Sequence, residues 1–334
     1  MRRNLVVIGA SAGGIDALRF LASALPADFP ASIAIVLHTG PNSPGILSTI
    51  LSRVGPLPAV TVEGKQPLQP GYIYVAPVDH HLVVEPNGVC ATRGPRENRF
   101  RPAIDPLFRS AAQVYGPRVV GVILTGGLDD GTAGLWAVKQ LGGIAVVQDP
   151  KDALVESMPL NAIQHVNVDH VARLSDIPSL LVRLVTEDLV EKGGYSVPEP
   201  MDIEVRIALE HGGLESGVEK LGAPSRFACP ECHGVLLEVK EGDRVRYRCH
   251  TGHAYSLESL LADYDDAIEK GGWNTVRALQ EKAMLLRDAA RKAVDAGEDA
   301  RADRLQAQMR DAVRRAEVIR EAVPQSMPKA AEGE

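Results

Sequence analysis

No stretch of this 334-residue chain approaches the ~20 consecutive apolar residues that a bilayer-spanning helix needs. Positive charge is also short. Thirty-six Lys and Arg stand against 43 Asp and Glu, a formal net charge of −7, which disfavours a nucleic-acid binder, since such domains concentrate excess positive charge. Met-Arg-Arg-Asn followed by four apolar residues is too brief for a secretory leader. These absences point to a cytoplasmic protein with no direct membrane insertion. Cysteine is scarce as well: Cys90 stands alone, while Cys229, Cys232 and Cys249 cluster late in the chain. Three clustered cysteines cannot pair off, and such a cluster in a cytosolic chain is more often a metal site than a disulfide framework. What is present is ordinary globular material. The chain is 45% hydrophobic, enough for a sizeable core, and its length suggests about two domains.

The first 190 residues alternate short apolar runs with helical patterns. Strands are expected at 5–9, 33–37, 72–76, 82–85, 119–124 and 144–147, and helices at 13–24, 44–53, 105–115, 131–140 and 177–189. Alternation of this kind predicts an α/β fold with a mainly parallel, doubly wound, Rossmann-like sheet, to which a hairpin within 72–85 would add antiparallel strands. Residues 191–226 read as a linker with a short helix near 202–210, because Lys192-Gly193-Gly194 and Pro198-Glu199-Pro200 interrupt the pattern. Residues 257–323 read as a helical hairpin broken at Asp295–Asp299, and 324–334 as a disordered tail. Val276, Leu279, Ala283, Leu286, Ala290 and Ala293 follow a heptad in one arm; Ala302, Leu305, Met309, Ala312, Ala316, Ile319 and Val323 do so in the other. Such seams serve an intramolecular hairpin or a coiled-coil dimer. Their shortness and alanine content favour the hairpin, and the oligomeric state is left open.

The apolar run Leu5–Gly9 leads into Gly9-Ala10-Ser11-Ala12-Gly13, a G-x-S-x-G pattern. A sharp strand-to-helix turn of this kind lifts a serine hydroxyl to the top of a sheet, beside the next helix's N-terminus. A serine becomes a useful nucleophile when an imidazole takes its proton and a carboxylate orients that imidazole. His38 ends the second strand, and Asp129 and Asp130 follow the strand at 119–124. In an open α/β sheet these positions share the carboxyl edge where ligands bind. Backbone N–H groups after the serine, beginning with Ala12, are placed to hold an oxyanion. Each feature has a plainer reading: a pyrophosphate-binding turn, a structural histidine, a helix-capping aspartate. Against a dinucleotide site, the pattern is G-x-S where G-x-G is needed, and the second strand ends in His38 where a ribose-binding acid would stand.

Several ordered motifs across residues 4–185 resemble the catalytic domain of chemotaxis protein-glutamate methylesterases, the CheB family. They are Val7-Ile8-Gly9-Ala10-Ser11-Ala12-Gly13-Gly14, Ile35-Val36-Leu37-His38, Tyr74-Val75-Ala76-Pro77 with His81, Arg101-Pro102-Ala103-Ile104-Asp105 with Phe108-Arg109-Ser110, Leu124-Thr125-Gly126-Gly127-Leu128-Asp129-Asp130-Gly131, and Gln148-Asp149-Pro150 with Met158-Pro159. The resemblance implies a Ser11–His38–Asp130 triad, an acyl-enzyme, and an oxyanion held by the N–H groups of Ala12 and Gly127. It implies hydrolysis of glutamate methyl esters on chemoreceptor helices, with glutamine deamidation in some members. Two departures stand out. The catalytic strand begins at residue 5, where family members usually carry an N-terminal receiver, so control by that route is in doubt. Gly127-Leu128 also replaces the more usual Met-Gly.

Cys229-x-x-Cys232 and Cys249-x-x-x-His253 have the spacing of two knuckles feeding one tetrahedral zinc. Strands at Val235–Val239 and Val245–Tyr247 would close a zinc-ribbon-like module over 227–256. His233 and His250 adjoin cysteines, where chelating the same ion is strained. Four protein ligands leave no open position, so the metal would be structural; a metal-free thiol cluster is the alternative. Catalysis itself calls for no cofactor. The expected function is therefore a chemosensory methylesterase acting on methylated receptor helices. A non-catalytic signalling scaffold and a serine esterase acting on a small ester are the rivals.

Overall fold

The computed structural model describes residues 1–40, 42–189 and 194–323. The expected tail at 324–334 and the Lys192-Gly193 break lie outside the described residues. The chain divides into two compact units, one covering Met1–Leu260 and the other beginning at Leu261.

The first part of the larger unit contains strands β1 (Leu5–Ala10), β2 (Ser32–Leu37), β3 (Ala59–Thr61), β4 (Lys65–Gln66), β5 (Ile73–Val75), β6 (His81–Glu85), β7 (Gly88–Thr92), β8 (Val119–Ile123), β9 (Ile144–Gln148) and β10 (His170–Ala172). Its helices are α1 (Gly14–Ala24), α2 (Leu47–Val54), α3 (Ile104–Tyr115), α4 (Thr132–Gln140), α5 (Ser157–His165) and α6 (Ile177–Thr186). Seven strands form a parallel sheet in the order β10-β9-β8-β1-β2-β5-β3. Period-two alternation sends Leu5 and Val7 to one face and Val6 and Ile8 to the other. The first face packs on α3, α4 and α5 through Leu107, Phe108, Leu135 and Met158; the second packs on α1, α2 and α6 through Leu18, Leu21, Leu51 and Leu181. Burial on both faces explains why β1, β2 and β8 read as unbroken apolar runs. Each such side chain, removed from water, contributes roughly 1.5–3 kcal/mol.

The structure differs from the sequence expectation in several details, among them the short strands β3, β4, β7 and β10, which were not expected. The stretch 72–85 is not a hairpin: β5 joins the parallel sheet beside β2, and the antiparallel hairpin is β6–β7, which with β4 forms a separate three-stranded sheet. Helix α5 was not among the expected helices, and Pro159 stands in its first turn. Proline is tolerated in the first turn, where its missing N–H has no helical partner to lose.

The segment expected as a linker is, in its described part, a packed layer. Helix α7 (Glu199–Ala208) buries Met201, Ile203, Glu204, Val205 and Ile207, and Asp202 accepts a 2.9 Å hydrogen bond from Gln113 of α3. After the short helix α8 (Gly213–Ser216), strands β11 (Ala223–Ala228), β12 (Val235–Glu241), β13 (Arg244–Cys249) and β14 (Ala254–Tyr255) form an antiparallel four-stranded sheet. Its apolar core is small: Ile203, Ile207, Val218, Leu221 and Val239. Beneath it lies a buried ionic cluster. Arg248 reaches Glu97 and Glu204, each at 2.8 Å; Arg246 reaches Glu204 at 2.9 Å; and Arg109 of α3 reaches Glu97 at 3.0 Å and Glu204 at 3.2 Å.

The remaining helices are α9 (Leu257–Asp295) and α10 (Asp299–Ala322). From Leu261 onward they make up the second unit. The chain reverses at Ala296–Glu298, where the Gly297 and Glu298 N–H groups bond the carbonyls of Val294 and Ala293. Val276, Ala283, Ala290, Ala293, Ala302, Ala312, Ala316 and Val323 are buried, so the heptad positions face inward within this pair. No helix among the described residues is long and apolar enough to cross a membrane.

Candidate active site and candidate metal centre

The first sheet positions the candidate nucleophile. Ser11 follows β1, where its N–H bonds the Thr125 carbonyl at 3.0 Å. Gly13, at φ +77°, turns the chain directly into α1, a left-handed conformation that glycine adopts without steric cost. Gly126 lies against the serine: a Cβ placed there would sit 2.8 Å from both Ser11 Cβ and the Met158 sulfur. His38 follows β2, its N–H bonded to the Ala10 carbonyl at 3.0 Å. The order β8-β1-β2 therefore brings the loops bearing Asp130, Ser11 and His38 to adjacent strand ends.

The three side chains meet in a line. His38 Nδ1 lies 3.2 Å from Ser11 Oγ, and His38 Nε2 lies 2.7 Å from Asp130 Oδ2. Both partners of the second contact are almost fully buried. A carboxylate accepts, so the proton sits on Nε2, and Nδ1 offers its lone pair to the serine hydroxyl. Phe100 stacks on the imidazole, with ring centroids 3.7 Å apart and planes 7° from parallel.

Asp130 is held as an anion. Burial alone would raise its carboxyl, but the hydrogen bond and charge of His38, the Ile104 N–H and the Asn98 amide together bring it below the usual range. Oδ2 accepts from Ile104 N at 2.6 Å, and Oδ1 accepts from Asn98 Nδ2 at 2.8 Å and Gly131 N at 2.9 Å. Ile104 opens α3, so the positive end of a helix dipole also faces this charge. Asp105 is the opposite case: burial, then the charge of Asp130, push it up to about 8. Asp129, the other aspartate that the sequence offered, points elsewhere. It accepts from Arg244 at 2.9 Å and from Ser256 Oγ at 2.7 Å. Ala12 and Gly127 lie in the turns flanking the serine, and among the described residues neither N–H is committed to a hydrogen bond.

The second constellation is the cysteine cluster. The ligand atoms of Cys229, Cys232, Cys249 and His253 all lie within 4.8 Å of one another. Cys232 Sγ and Cys249 Sγ are 3.6 Å apart, and His253 Nδ1 lies 3.7 Å and 3.5 Å from the sulfurs of Cys229 and Cys249. A tetrahedron with Zn–S of about 2.3 Å and Zn–N of about 2.0 Å has edges of about 3.5–3.8 Å. The cluster therefore has the size and the donor set of a zinc site. His253 Nε2 faces Glu231 at 3.4 Å, the carboxylate partner that commonly orients a metal-bound imidazole. His250 lies against Gly234 and is not in the cluster.

Phe100, Asn98, Arg244 and Ser256 were not singled out from the sequence. The only local hint is an asparagine in 97–100, a residue type that tolerates the positive φ of 49° seen at Asn98.

The fold and this line of side chains make a candidate serine-hydrolase site at the carboxyl edge of an open parallel sheet. Comparison with known proteins makes the assignment specific: the model of the family described as CheB methylesterase matches residues 6–181, and the chain belongs to that family. It is 40% identical over 193 residues to a putative protein-glutamate methylesterase/protein-glutamine glutaminase of Leptospira interrogans, covering 58% of this chain and 100% of that one. It is 35% identical over 196 residues to a Pyrococcus abyssi protein-glutamate methylesterase/protein-glutamine glutaminase, covering 58% of this chain and 53% of that protein. The crystal structure of the Thermotoga maritima CheB methylesterase catalytic domain matches with a TM-score of 0.54 at 33% identity, covering 55% of this chain and 100% of that one.

Proposed function

We propose that the protein is a protein-glutamate methylesterase that works through an acyl-enzyme on Ser11, with methylated chemoreceptor helices in the cytoplasm as its substrates. The observation that carries this reading is the line Ser11 Oγ–His38–Asp130 at the carboxyl edge of the sheet. Ser11 Oγ attacks the ester carbonyl carbon while His38 Nδ1 takes its proton. The oxyanion is received by the N–H groups of Ala12 and Gly127, each such donor contributing roughly 3–4 kcal/mol to lowering the barrier. The tetrahedral adduct collapses and His38 protonates the departing oxygen, releasing methanol. His38 then takes a proton from a water that attacks the acyl-enzyme carbonyl, and returns it to Ser11 Oγ as the ester bond breaks, restoring the serine and leaving the receptor's glutamate side chain as a carboxylate. Asp130 keeps its charge throughout and stabilises the imidazolium. A glutamine side chain would follow the same course with ammonia as the leaving group, the second activity in the relatives' names.

Cys229, Cys232, Cys249 and His253 would hold one structural zinc, closing the 227–256 module; the metal takes no part in the ester chemistry. Methanol release from a methylated receptor cytoplasmic domain tests the function. Wild type is expected to release methanol, and Ser11→Ala to lose at least about 10⁴-fold of that rate. Equal release by both would end the proposal.

A further inference from the structure

Asn98 is a buried residue, 5% exposed, and its side chain uses its full hydrogen-bonding capacity. Its Nδ2 donates to Asp130 Oδ1 at 2.8 Å and to Asp105 Oδ2 at 2.9 Å. Its Oδ1 accepts from Ser256 N at 3.0 Å and from Ser259 Oγ at 3.2 Å. The opposite amide orientation would aim an oxygen at two carboxyl groups and an NH₂ at a backbone N–H, so the network assigns the amide without ambiguity. The backbone is fastened too: Asn98 N donates to the Ala254 carbonyl at 2.8 Å, and Ala254 N donates to the Arg96 carbonyl at 3.2 Å. On one side of this residue, Glu97 is tied to Arg248 of β13; on the other, Phe100 stacks on His38.

A carboxylate can rotate about its Cβ–Cγ bond, and Asp130 must keep Oδ2 on His38. Asn98 holds the other oxygen. What holds Asn98 comes from Ala254, Ser256 and Ser259, directly after the Cys/His cluster.

We propose that Asn98 is a positioning residue for the hydrolytic reaction, fixing the Asp130 carboxylate, and that the segment Ala254–Ser259 keeps Asn98 in place. The small sheet with its Cys/His cluster thereby completes the active site from outside the region that carries Ser11, His38 and Asp130. This inference rests on the proposed hydrolase reading, and its test separates the two.

The full-length protein is treated with a fluorophosphonate, which phosphonylates an activated serine and expels fluoride whatever the natural substrate. The maximal labelling rate (kinact) and the half-saturating concentration (KI) are measured for Ser11, which mass spectrometry identifies. Asn98→Asp keeps the side-chain shape and tolerates the positive φ, but exchanges the donor facing Asp130 for an acceptor. A purely structural asparagine would cost stability on replacement while leaving kinact of the folded protein unchanged. The expected result is a fall in kinact of about 10–100-fold, the size of loss that a small misplacement of catalytic groups produces, with KI within twofold of wild type. Ser259→Ala removes a single hydroxyl from the grip on Asn98 and is expected to lower kinact about three- to tenfold, so the proposal stays testable if Asn98→Asp fails to fold. A wild type that labels at Ser11 while either folded variant keeps kinact within twofold overturns the inference. A wild type that does not label at Ser11 overturns the hydrolase reading on which it stands.

Discussion

Two of the three sheets described in the larger unit are stabilised by different physics. In the parallel sheet, β1, β2 and β8 are buried along their whole length by aliphatic side chains on both faces, and burial of apolar area is sufficient to explain its order. In the four-stranded sheet, β11 is mostly exposed and β12 buries only Leu236 and Val239. Charge and sulfur hold what apolar area cannot: six ionic side chains, Glu241 among them, packed beneath the strands and four ligand atoms gathered at one end. An apolar sheet loses stability gradually as methylenes are removed. A sheet pinned by paired charges and by one cluster of ligand atoms fails when one pin is drawn, because the remaining partners are left buried and unsatisfied.

The sharpest way to test this contrast is to remove a pin. Cys249→Ser is expected to abolish stoichiometric zinc and to lower unfolding free energy by several kcal/mol, on the order of half the binding free energy of a structural zinc. Metal analysis with denaturant titration reads both, and a variant that keeps its stability without metal would remove the cluster from the account. Arg248→Ala should cost about 3–5 kcal/mol, because Glu97 and Glu204 lose a buried partner; a urea midpoint near wild type would show that the cluster is slack. In the parallel sheet, Gly126→Ala should act on chemistry before stability. The new methyl meets Ser11 and Met158, with an expected loss of about 10–100-fold in labelling of Ser11; an unchanged rate would mean that the serine has room to move. The smallest effect is a pH slope. Asp105 is pushed up to about 8 by burial and by the charge of Asp130, against about 3.9 in an unfolded chain. Because the fold favours its neutral form, its stabilising contribution is complete below about pH 4 and is lost as pH rises through about 8. The melting temperature should fall from pH 5 to pH 8, less steeply in Asp105→Asn than in wild type, and equal slopes would count against a neutral Asp105.

The same contrast explains what the sequence made legible. Strands buried on both faces announce themselves as apolar runs, so β1, β2, β8 and β9 were located to within a residue or two. The turn around Ser11 was visible because glycine spacing reports backbone strain. The cysteine spacing was legible because ligand types that gather at one point recur at short fixed intervals, and the structure brings Cys229, Cys232, Cys249 and His253 together. The small sheet's attachment was not, because paired Glu and Arg look like ordinary surface residues until folding places Glu97, Glu204 and Arg248 together. Asn98 was hidden for the same reason: its partners lie at Asp105, Asp130, Ser256 and Ser259, and no local period links them. Residue type and position left Asp129 and Asp130 level, and only the family resemblance preferred Asp130; in the structure their neighbours differ, His38 for Asp130 and Arg244 with Ser256 for Asp129.

The grip of Ser256 and Ser259 on Asn98 also bears on how such a chain can be inherited. The family match ends at residue 181. A cut there would remove the donors that reach the Asn98 amide oxygen and the Glu97 carboxylate from the later segment. A chain that exchanged this segment would need other donors at both groups, or would leave them fewer partners in a buried place. The hydrogen-bonded unit of this protein is therefore longer than the stretch that sequence similarity outlines.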